Sequence, residues 1–90
     1  MERDRLQSVI DSLPKVSHRP NRVTLMLYGN VRQGVPVTVV GVIQPTGDGL
    51  TDDETGEPIL CLPVRKYCER KTRYVRIDEI CSVCIGWPKL

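Results

Sequence analysis

The last third of the chain constrains the fold most. Thr72-Arg73-Tyr74-Val75-Arg76-Ile77 reads as a strand, Asp78-Glu79-Ile80 as a one-turn stop, and Cys81-Ser82-Val83-Cys84-Ile85 as a second strand. Two short strands with an acidic turn between them suit the closing elements of a small, highly bent β-barrel. Barrels of this size are mostly binding modules, so the expectation is a protein that binds rather than an enzyme. Ninety residues allow a single domain, 1–90, with one small core. Such a chain buries only about 60–65% of its unfolded surface, so a metal, a disulfide or self-association would help to stabilise it.

Upstream, Leu6, Val9, Ile10 and Leu13 form one apolar stripe at helical spacing, which predicts a helix over 3–13 that Pro14 ends. A polar, basic connector follows over 14–21. From 22 to 28 apolar residues stand on both faces of an alternating strand, and Gly29-Asn30 and Gly34 mark bends. Residues 35–43 are too β-branched for a helix, and Gly41 in their middle predicts a bulge. A long acidic loop spans 44–58, and Ile59 to Tyr67 reads as a third long strand with Pro63 at a bulge or an edge. The order is one helix and then five strands over 22–85, with regular structure ending at Gly86 and Pro88. The expected core is Leu6, Val9, Ile10, Leu13, Val23, Leu25, Leu27, Val37, Val39, Val42, Ile59, Leu60, Val75, Ile77, Ile80, Val83 and Ile85.

This order resembles the Sm-like small barrel: a mainly β, five-stranded, highly bent barrel with an N-terminal α-helix. Within that architecture the chain is similar to the YolD-like family of bacteria and phages. The likeness rests on Val23-Thr24-Leu25-Met26-Leu27-Tyr28-Gly29-Asn30, on Val37-Thr38-Val39-Val40-Gly41-Val42-Ile43, and on Val75-Arg76-Ile77-Asp78-Glu79-Ile80. It covers about two fifths of the chain, roughly 22–43 and 72–85, and includes no catalytic motif. The basic-Trp N-terminal segment associated with that family is missing, and the 44–58 loop is unusually acidic. The resemblance implies a non-enzymatic accessory protein connected with DNA damage or phage functions.

Three constellations can carry chemistry. Arg65, Lys66, Arg70, Lys71, Arg73 and Arg76 are six cations in twelve residues, opposed within that window only by Glu69. On a strand-turn-strand they would neutralise phosphates, with Tyr67 and Tyr74 placed to stack on bases. The plainer reading is a solvated tip that protects edge strands from aggregation. Asp48, Asp52, Asp53, Glu54 and Glu57 lack the calcium-loop pattern and fit either a solvated loop or a contact with a basic partner, including another copy of the chain. Cys61, Cys68, Cys81 and Cys84, spaced C-x6-C-x12-C-x2-C, can in principle close a tetrahedral zinc site. Against this, residues three apart on a strand diverge, and buried thiols behave as small hydrophobes. His18 is the only histidine, and no triad can be built around it.

The charge balance is uneven. Residues 1–64 carry six basic and eight acidic side chains, and residues 65–90 carry seven basic and three acidic. No apolar run approaches the ~20 residues that span a bilayer, and no apolar stretch follows the charged start, so a cytoplasmic protein with no membrane partner is expected. The leading functional expectation is a regulatory adaptor that binds a protein partner and self-associates, with no cofactor. The alternatives are a nucleic-acid-binding barrel working through 65–76, with single strands as partner, and a zinc-stabilised mini-domain.

Overall fold

The computed structural model describes residues 1–13, 21–29 and 33–87. Within them, helix α1 (Arg3–Asp11) precedes six strands: β1 (Arg22–Leu27), β2 (Val35–Val39), β3 (Gln44–Pro45), β4 (Leu60–Lys66), β5 (Thr72–Arg76) and β6 (Ile80–Ile85). A 3-10 turn over Ile77–Glu79 separates the last two strands. The molecule is a mainly β domain with one N-terminal helix. Residues 14–20 of the expected connector, with His18, lie outside the described residues, as do Asn30 and Pro88.

The helix forms because its stripe has somewhere to go. Leu6 is fully buried, Leu13 just past the helix is buried, and Ile10 packs against the core. Asp4 lies in the first turn, where a negative charge complements the helix dipole.

Strand β4 organises the sheet. It pairs antiparallel with β5 from Cys61↔Arg76 to Arg65↔Thr72. On its other side it pairs with β2 (Val37↔Lys66 to Val39↔Val64) and then with β3 (Gln44↔Cys61, Pro45↔Leu60). Strand β2 pairs with β1, and β1 with β6, so β5 and β6 are the two outer strands.

The expected Sm-like barrel is corrected by this topology. Among the described residues β5 pairs only with β4 and β6 only with β1, so the sheet of six strands, not five, stays open. The start of the helix occupies the corner where the two outer strands meet. The Met1 amino group donates to the Ile77 carbonyl at 2.8 Å and to the Ile80 carbonyl at 2.8 Å. The first carbonyl belongs to the turn joining β5 to β6 and the second to the first residue of β6. The side of the core left open by the sheet is covered by Leu6, Ile10 and Leu13.

The expected long strand over 35–43 is also corrected. Strand β2 ends at Val39 and the short β3 starts only at Gln44. Between them the backbone of Gly41 lies so close to Pro63 that a Cβ there would sit 2.8 Å from the proline Cγ. The chain leaves the ladder at this bend, so Val42, expected in the core, is 74% exposed. Ile85, also expected inside, is 57% exposed because it ends an outer strand. Leu62 and Val64, absent from the expected core, are among its most buried members.

In β6 a bulge decides which residues reach the core. Leu27 pairs with Ile80 and Met26 with Ser82, which leaves Cys81 as the extra residue. The bulge resets the alternation, so Ile80 is fully buried while Val83 still packs on the core.

Candidate nucleic-acid interface

The β4–β5 hairpin positions the basic cluster. Leu62, Val64 and Val75 share the core face, and the alternation puts Pro63, Arg65, Thr72, Tyr74 and Arg76 on the opposite face. Residues 67–71 form the turn, with Cys68 in the left-handed region at φ 62.

The six expected cations divide into two groups. Arg73 donates to both carboxylate oxygens of Glu69 (2.7 and 3.1 Å), and Arg76 donates to both of Asp78 (3.1 and 2.6 Å). The Arg73 guanidinium holds the Glu69 carboxyl below the usual glutamate range, and each arginine is pushed above its ordinary value, first by its hydrogen bond to the carboxylate. Arg65, Lys66, Arg70 and Lys71 are exposed and have no carboxylate partner among the described residues. The uncompensated charge of the hairpin is therefore concentrated at its tip.

Sequence reasoning missed two neighbours of this tip. Gly86, at φ +87, turns the chain back over the sheet after β6, and the Thr24 hydroxyl donates to its carbonyl at 2.8 Å. Trp87 then donates its indole N–H to the Val37 carbonyl at 2.8 Å. The Arg22 guanidinium carbon lies 3.7 Å from the Trp87 ring centroid, a cation–π contact. Tyr67 meets the same indole edge-on at 5.4 Å between centroids. Arg22 stands opposite Thr38, and Thr38 opposite Arg65, so both arginines lie in one row across the outer face. A glycine closing an alternating strand and followed by tryptophan was the only hint. The contact with Arg22 spans more than sixty positions and has no local signature.

The acidic segment is built as a hairpin. Thr51 bridges Pro58, the Asp52 amide donates to the Glu57 carbonyl, and the Asp52 carboxylate accepts from the amides of Glu54 (2.7 Å) and Thr55 (3.2 Å). Asp52 is thus occupied with its own turn. Asp48, Asp53, Glu54 and Glu57 face solvent. This hairpin leaves β4 at its start and the basic tip leaves it at its end.

The four cysteines are not brought together. Among the described residues no three or more His, Cys, Asp or Glu side chains are grouped to hold a metal ion. Cys61 is buried, and that burial pushes its thiol pKa up; Cys68 and Cys84 are exposed in different parts of the fold. No described helix is long and apolar enough to cross a membrane.

No family model matches the chain, and no curated protein or solved structure matches it. The functional reading therefore rests on this geometry.

Proposed function

We propose that the protein is a non-enzymatic binding module whose β4–β5 hairpin tip engages the phosphate backbone of nucleic acid. The observation that carries this is the split among the cations. Two are neutralised by their own carboxylates, while Arg65, Lys66, Arg70 and Lys71 are exposed together without a partner among the described residues. Four phosphate contacts predict a slope of log affinity against log salt of about −3, or roughly sixtyfold weaker binding between about 50 and 200 mM salt. Anisotropy titration of a labelled oligonucleotide reads this directly. Replacing Arg70 and Lys71 by Ala should flatten the slope by about 1.5. A salt-independent affinity, or none, refutes the proposal.

A second reading is favoured by the open sheet. Among the described residues the outer edges of β5 and β6 have no strand partner, and such edges accept a strand from another chain. A protein partner or a second copy of this chain would dock there, with the acidic hairpin as a further contact. Such a complex should survive about 0.5 M salt, where phosphate contacts are largely lost.

A further inference from the structure

We infer that the outer face of the sheet beside the hairpin tip is a base-stacking site, and that the nucleic acid it takes is single-stranded. This rests on the phosphate-binding reading above and adds a site and a substrate class to it. Three observations converge. Tyr74 stands on the face opposite the core and Tyr67 opens the turn that follows β4, and they are 63% and 52% exposed. Tyr67 is held by its edge contact with Trp87, whose indole is fixed by the Val37 carbonyl and covered by Arg22. Arg22 and Arg65 lie on the same face as Tyr74, one strand either side of Thr38, and Arg22 reaches Tyr67 through the Trp87 ring between them.

The ring of Tyr67 is thus pre-oriented rather than freely rotating, which lowers the entropy lost when a base stacks on it. A duplex hides its base faces and offers this surface only phosphates. An unpaired strand offers phosphates to the tip and π-faces to the tyrosines, each stacked base adding to affinity without sequence preference. The cations beside the rings place the backbone next to them.

The test uses the full chain, a labelled dT strand of about twenty nucleotides, and a duplex of the same length. The wild type should bind the strand more tightly than the duplex, and the strand should change the emission of Trp87, the only tryptophan. Tyr74→Ala and Tyr67→Ala should each weaken strand binding roughly five- to hundredfold. The salt slope and the duplex affinity should stay at wild-type values. Tyr67→Phe should restore binding, which separates stacking from a role in folding. Tyr74 stands opposite Pro63 in the middle of the hairpin rather than at its turn, so its variant tests the site even if Tyr67→Ala unfolds. If both alanine variants bind the strand like the wild type while Arg70→Ala/Lys71→Ala still flattens the slope, the stacking site is wrong and phosphate binding stands. If the wild type shows no salt-dependent binding to either probe, the phosphate-binding reading fails and this inference falls with it.

Discussion

Arg73 and Glu69 lie four positions apart across a turn and close on one another through two hydrogen bonds. Because the arginine favours the carboxylate, Glu69 titrates lower in the folded chain than in the unfolded one. The sign of the linkage follows. Whatever stability this pair contributes is present above the unfolded carboxyl pKa, and it is lost as pH falls through the depressed folded value. Both groups are solvent-exposed, so the effect on unfolding should be small. The local effect should be plain. Following the Glu69 carboxyl by NMR should give a midpoint below the ordinary glutamate value, and Arg73→Ala should return it upward. An unmoved midpoint would mean that the pair does not persist in solution. Arg73 would then join the uncompensated cations, and the salt slope for nucleic acid would be steeper than four contacts allow.

At the scale of elements, the chain showed its helix and its strands more clearly than the way the strands connect. The 3.6-residue stripe of Leu6, Ile10 and Leu13 is visible without a structure, because only one helical face needs to be apolar. Leu60 to Val64 is different. Every residue in that run is apolar, so the alternation that would reveal the inward parity is erased. The register with β2 and β5 decides it, and places Leu62 and Val64 inside. Residues 35–43 read as one strand for the complementary reason: β-branched content marks extended chain but does not show where the ladder is left. Gly41 against Pro63 ends it, and Val42 turns outward. The aromatic half of the candidate site was illegible because Arg22 and Trp87 meet only through the β1–β6 pairing. These assignments separate in a stability experiment. Leu62→Ala should cost about 2–5 kcal/mol in denaturant unfolding, as expected for a filled core position. Val42→Ala should stay within about 0.5 kcal/mol. Comparable losses at both positions would mean that the second strand runs unbroken through Gly41.

Across the whole molecule, charge is separated along one strand. The acidic hairpin over 46–58 precedes β4 and the basic tip follows it, and the seven residues between them span roughly 20 Å. The molecule measures 40 × 28 × 25 Å, so these two lobes occupy a large part of its length. At 0.1 M salt the screening length is about 10 Å, and the lobes are electrostatically independent; at 0.01 M it is about 30 Å, and a phosphate at the tip feels the acids. Repulsion from the acidic hairpin should therefore weaken nucleic-acid binding only in dilute salt. Asp53→Asn/Glu54→Gln removes two exposed charges without touching Asp52, whose carboxylate holds the turn. This variant should bind a single strand more tightly than the wild type at about 0.01 M salt and equally well at about 0.15 M. Equal strengthening at both would place the strand against the acidic hairpin itself. Weakening at both would make the acids a contact surface, which fits a basic protein partner better than a polyanion. The same titration thus separates long-range field from direct contact, and so tests which lobe of this polarised domain meets its ligand.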